Sequence, residues 1–189
     1  MSNIETLLED ARRHYQRADL HRHFNADMDR VTKAQVALDA AEDTMLALSN
    51  YESGGIGSDD GEKYLRLYGC LQAVFVQQDA IRELHRLFVG DFAEPADISA
   101  WKQLRELRNL TIGHPIEKGL GKQQRSRTFI TRVSLRSDGF DYQVWHQGTG
   151  NTSFESADLS ALYATYEKEA ALYLKKIIAA LSCVPDISC

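Results

Sequence analysis

Val31-Thr32-Lys33-Ala34-Gln35-Val36-Ala37-Leu38-Asp39-Ala40-Ala41-Glu42-Asp43-Thr44-Met45-Leu46-Ala47-Leu48 decides the fold class. Val31, Ala34, Leu38, Ala41, Met45 and Leu48 recur three and four residues apart, which places them on one face of an α-helix. The seam is narrow, so this helix is built to pack on other helices. The same period continues on both sides. Upstream, Ser2 and Glu5 form a capping-box pattern ahead of Ile4, Leu7, Leu8, Ala11 and Tyr15. Whether this is a separate helix or one long helix bent near Phe24-Asn25-Ala26-Asp27 is left open by the residues.

Downstream, the run Gly54 to Gly61 breaks the period. Asp59 with Glu62 then starts a third helix that runs to about Val89, where Gly90 stops it. Its stripe includes Leu67, Leu71, Val74, Gln78, Ile81 and His85, and the polar Gln78 on that seam implies a buried hydrogen-bond network. After Pro95, Asp97 is the expected cap of a shorter helix through Trp101, Leu104, Leu107 and Leu110. A final helix begins after Ser156 and carries Leu159, Leu162, Tyr166, Ala170, Tyr173, Ile177 and Leu181.

Between these last two helices the period changes from helical to alternating. Phe129, Thr131, Val133 and Leu135 alternate with Ile130, Arg132, Ser134 and Arg136, and Phe140 to His146 is β-rich. Ser137-Asp138-Gly139 reads as the turn of a hairpin. The expectation is a mostly α protein, a bundle of about five helices with a β-hairpin inserted at about 127–147, in one domain spanning 1–189.

Composition agrees with a packed core. The chain has 189 residues, 43% hydrophobic and 26% charged, which excludes a disordered tail, a collagen-like rod and a disulfide miniprotein. No apolar run approaches the ~18 residues of a bilayer span, so no membrane partner is expected. The opening residues carry no basic, apolar leader, and a cytoplasmic protein is expected. Cys70, Cys183 and Cys189 contain no C-x-x-C pair, so neither a disulfide framework nor a zinc site is indicated, and no cofactor is expected.

The net charge of −5 is unevenly placed. Residues 1–60 hold 6 Lys+Arg against 12 Asp+Glu, an acidic region that does not suit a protein coating nucleic acid. From Glu117 to Arg136, by contrast, Lys118, Lys122, Arg125, Arg127, Arg132 and Arg136 face one acid before Asp138.

The most informative segment for function is Leu104-Arg105-Glu106-Leu107-Arg108-Asn109-Leu110-Thr111-Ile112-Gly113-His114-Pro115. Trp101, Leu104, Arg108 and Thr111 fall three and four apart, so Arg108 lies on or beside the apolar seam and requires a partner. Asp79 is one candidate anchor. His114 follows the helix end, where carbonyl dipoles favour imidazolium, and Pro115 holds it in extended backbone. Arg17 to His23 matches the same spacing, but with Ala18 after the arginine and without the Gly113-His114-Pro115 context.

Arg108-Asn109, four residues and His114 resemble the R-x(4–6)-H motif of HEPN domains, in which the position after arginine is typically polar. The expected bundle is similar to the HEPN architecture as well. The resemblance implies a metal-independent endoribonuclease of the kind found as toxins in toxin–antitoxin pairs and in defence systems. It also implies Arg108, Asn109 and His114 as the active-site set, and an antitoxin or regulatory protein as a further partner.

The chemistry suits those side chains. In RNA the 2′-OH attacks the adjacent phosphorus and expels the 5′-oxygen, leaving a 2′,3′-cyclic phosphate. Histidine moves protons near neutral pH, and arginine forks onto phosphate oxygens. One histidine cannot be base and acid in the same step, so a two-fold homodimer with a composite site is expected. Lys118, Lys122, Arg125, Arg127 and Arg132 are the candidate RNA-binding residues, with Tyr142 and Trp145 as candidates for base stacking. The competing expectation is a non-catalytic helical module that binds a protein partner.

Overall fold

The computed structural model describes residues 3–119 and 125–187. The described residues form α1 (Asn3–Arg17), α2 (Leu20–His23), α3 (Met28–Gly54), α4 (Asp60–Phe88), α5 (Ala100–Arg108), β1 (Lys118–Gly119), β2 (Arg125–Ile130), β3 (Gly139–His146), β4 (Thr152–Asp158) and α6 (Leu159–Leu181). The protein is mostly α, with a small antiparallel sheet ahead of the last helix. Among the described residues no helix is long and apolar enough to cross a membrane.

The seam that predicts the bundle is buried, with Ala34, Leu38, Ala41, Met45 and Leu48 in the core and Val31 at its margin. The helix in question is α3, and it is not continuous with α1. Asn25 and Ala26 take left-handed backbone (φ 52° and 64°), and Asp27 caps α3 by accepting from the N–H groups of Asp29 and Arg30. Ser2, half of the expected first cap, lies outside the described residues. Asp59 caps α4 through the Glu62 N–H, as its spacing predicts.

The cap of α5 is Ser99 rather than Asp97. Its hydroxyl accepts from the Lys102 N–H at 3.2 Å, because a cap must directly precede the first helical residue. Glu169 of α6 accepts from the N–H groups of Ala100 and Trp101 at 3.1 and 2.8 Å, so the first turn of α5 is tied to the bundle.

α3 and α4 pack along their length, α1 packs on α6, and α6 crosses both α4 and α5. Two buried amides on α4 join these elements. Gln77 donates to the Thr44 hydroxyl of α3 and accepts from the Tyr166 hydroxyl of α6, at 3.0 and 2.8 Å. Gln78 donates to the Trp101 carbonyl of α5 at 2.9 Å. Trp101 is fully enclosed beside Phe92, Tyr166 and Tyr173. Cys70 is a core residue whose thiol burial pushes up to about 12, so it stays protonated and inert.

The single hairpin expected at 127–147 is replaced by a four-stranded sheet in the order β1-β2-β3-β4. β2 ends at Ile130 because a tight turn at Arg132–Ser134 interrupts the alternation. That turn leaves Val133 in solvent and sends Leu135 into the core, where strict alternation would have kept both on one face. β4 (Thr152–Asp158) pairs with β3 along its length. Asp158 ends β4 and caps α6 by accepting from the Ala161 N–H at 2.8 Å.

Candidate functional site

α5 does not continue into the motif as an α-helix. Asn109–Gly113 form one wide turn, closed when the His114 N–H donates to the Asn109 carbonyl at 2.8 Å. One extra residue is thereby taken up between Arg108 and His114. Pro115 then leaves the helix, and its carbonyl accepts from the Thr128 N–H of β2 at 2.8 Å. The motif therefore lies where the bundle meets the sheet, with His114 exposed at the junction.

Arg108 is held from several sides. Its Nε and Nη2 donate to Gln72 Oε1 of α4 at 3.1 and 2.9 Å, and its Nη1 donates to Asn109 Oδ1 at 3.1 Å. The guanidinium carbon lies 4.2 Å from the centre of the Phe75 ring. Gly113 allows this placement, since a Cβ there would come within 2.6 Å of Arg108 Nη1. The guanidinium thus sits against the residue before His114. Among the described residues no carboxylate lies within ion-pair distance of it. Two amide oxygens fix its direction and leave its charge uncancelled.

The anchor that sequence assigns to Arg108 is used elsewhere. Asp79 pairs with Arg105 at 2.8 Å, because residues 72, 75 and 79 form one stripe of α4 and α5 crosses it with Arg105 nearer Asp79. Gln72 and Phe75 are the site residues that sequence reasoning missed, and Gly113, part of the motif context, makes room for Arg108. Phe75 is visible as part of the α4 stripe, but nothing in the sequence shows that α5 lies across it.

The side chains of the competing Arg17–His23 pair have different partners. Arg17 faces Asp186 at 3.3 Å, while His23 packs on the rings of Phe24 and Phe88.

The described arginines of the basic stretch after the motif have different partners. Glu117 holds Arg125 at 2.9 Å and approaches Arg127 at 4.0 Å. Arg136 is engaged by Asp138 and Asp141. Arg132 is exposed beyond the end of β2, near the Tyr64 hydroxyl, where it opposes the upward shift that burial gives that phenol. Lys118 belongs to β1, and Lys122 lies outside the described residues. Of the two candidate stacking residues, Tyr142 packs against the core, and Trp145 is on the opposite face beneath the Arg127 guanidinium at 4.9 Å.

A groove of 740 Å³ opens on the other flank of α5, between β4 and α6. Among the described residues, Asp97, Asp158 and Glu169 line it together with Lys102. Among the described residues no group of three or more His, Cys, Asp or Glu is placed to hold a metal ion. No family model, no curated protein and no solved structure matches this chain.

Proposed function

We propose that the protein is a HEPN-like, metal-independent endoribonuclease that acts as a homodimer, in the manner of a toxin or defence protein. The observation that carries this reading is the support of Arg108. A guanidinium held by neutral oxygens and an aromatic ring, and lying against Gly113 just before an exposed histidine in the chain, is a ready phosphate clamp.

In the proposed reaction Arg108 donates to the non-bridging oxygens of the scissile phosphate and stabilises the charge of the phosphorane. Asn109 directs Arg108 through its side-chain oxygen. His114 takes the proton of the 2′-OH as the new O–P bond forms, and the partner subunit's His114 protonates the departing 5′-oxygen as the old bond breaks. The products are a 2′,3′-cyclic phosphate and a 5′-hydroxyl.

The test is RNA cleavage in EDTA by the wild type, Arg108→Ala and His114→Ala, with end-group analysis and light scattering. Cyclic-phosphate ends from the wild type, lost in both variants while the dimer persists, support the enzyme. Identical products from all three mean contamination. No cleavage by any of them returns the function to a protein-binding module.

A further inference from the structure

β2, β3 and β4 separate their residues cleanly between two faces. Ser126, Thr128 and Val144 face the bundle and are buried, whereas Arg125, Arg127, Phe129, Gln143, Trp145 and Phe154 share the outer face. Two aromatic rings there are largely open to solvent: Phe129 is 56% exposed and Phe154 is 76% exposed. Large apolar groups left in water on one sheet face mark a ligand surface.

The register fixes the layout. Gln143 is the direct cross-strand partner of both phenylalanines. Trp145 is the diagonal neighbour of each, about 7–8 Å away. Arg127 pairs with Trp145 across the strands and covers its ring, and Arg125 lies two residues further along.

We propose that this outer sheet face binds single-stranded RNA, with bases stacked on Phe129, Trp145 and Phe154, phosphates on Arg125 and Arg127, and Gln143 hydrogen-bonding a base edge. The inference rests on RNA being the substrate and adds the surface that holds the strand next to the cleavage site. Thr128, the residue before Phe129, is hydrogen-bonded to Pro115, the residue after His114, so the platform is continuous with the site.

The chemistry of the face favours this occupant. Three rings are interleaved with two guanidinium groups, an amide and the hydroxyl of Thr152, while Asp141 on the same face is held by Arg136 and Ser156; a protein interface core would be largely apolar. Aromatic side chains accept the π-face of any base, so the platform holds unpaired strands with little sequence preference and does not hold duplex. In the free protein Glu117 occupies the place of a phosphate on Arg125 and Arg127. It therefore competes with the RNA.

The test measures binding of a labelled oligouridylate by full-length protein carrying His114→Ala, with fluorescence anisotropy and tryptophan emission as readouts. Trp101 is fully buried, so quenching by RNA reports Trp145. Phe154→Ala and Phe129→Ala are each expected to weaken binding about tenfold. Glu117→Gln is expected to tighten it, and an RNA duplex to compete poorly. The open position of both phenylalanines keeps these variants folded, which circular dichroism checks.

Unchanged affinity in both phenylalanine variants, or no binding by any protein, overturns the platform. So does a change of oligomeric state in those variants with RNA affinity intact, which would make the face a protein interface. Cleavage by protein with His114 restored separates the two readings. Cleavage with no role for the rings removes the platform alone, and binding through the rings without cleavage removes the nuclease alone.

Discussion

Arg105 and Arg108 stand almost one turn apart on α5, and both press a guanidinium against Phe75, at 4.1 and 4.2 Å from the ring centre. Their hydrogen-bonding surroundings differ. Arg105 meets the Asp79 carboxylate at 2.8 Å, so its charge is cancelled where it sits. Among the described residues Arg108 hydrogen-bonds to the amide oxygens of Gln72 and Asn109 and meets no carboxylate. Both side chains are partly buried. The kind of partner, more than depth, therefore separates an arginine that joins two helices from one kept ready for an anion.

Removing each arginine in turn is the strongest way to break that comparison. Arg108→Ala is expected to lower RNA cleavage by about 10²–10³ with little change in melting temperature. Arg105→Ala should leave cleavage within a few-fold and lower stability by about 0.5–1 kcal/mol. Equal effects on cleavage would show that the partner type has no functional meaning. Gly113→Ala sharpens the point, because its Cβ displaces Arg108 Nη1 and leaves every other contact of α5 in place. A loss of about 10²-fold in cleavage with unchanged urea stability is expected, since a small misplacement of a catalytic group is enough.

The inner face of α4 should behave in the opposite way. Tyr166→Phe removes the hydroxyl that Gln77 accepts from and leaves a buried oxygen without a donor. About 1–3 kcal/mol of stability should be lost in urea unfolding, with cleavage unaffected.

The smallest effect concerns pH. His85 is buried with Phe92 and Tyr173, with its Nδ1 3.3 Å from the Gly90 carbonyl and with Lys176 nearby. Burial holds its pKa below 6.5 against the raising effect of that carbonyl, and Lys176 adds to the lowering. Below pH 6.5 the unfolded chain takes up the proton first, so stability falls with acidification until folded His85 protonates. Melting curves of His85→Phe between pH 7 and pH 5 should be flatter than those of the wild type.

Much of the helical frame is legible in the sequence, because one dominant force writes it. The Val31–Leu48 seam and the Asp59 cap describe a helix through its own burial and its own first turn. β4 left no such trace. Thr152-Ser153-Phe154-Glu155-Ser156-Ala157-Asp158 is nearly all exposed, so no alternation marks it, and its pairing with β3 is what makes it a strand. The two faces of β2 and β3 are readable by alternation, but the exposed row of rings needs the register between strands.

At the site, the spacing of Arg108 and His114 is visible in one dimension. The division of labour between Arg105 and Arg108 depends on how α5 crosses α4, a tertiary fact. The basic stretch shows the same limit: of its cations, Arg125 and Arg127 go to Glu117, Arg136 to Asp138 and Asp141, and Arg132 to the neighbourhood of Tyr64.

The wide turn at Asn109–Gly113 has one more consequence. An added residue inside an α-helix rotates everything after it onto a different face. Here the surplus residue is absorbed within a single turn, so the bundle before it and the sheet after it keep their own phases. The turn is the phase adjuster between two rigid parts. Lengthening or shortening it by one residue would re-aim the histidine relative to the arginine and would also shift the buried Thr111, whose hydroxyl donates to the Leu107 carbonyl.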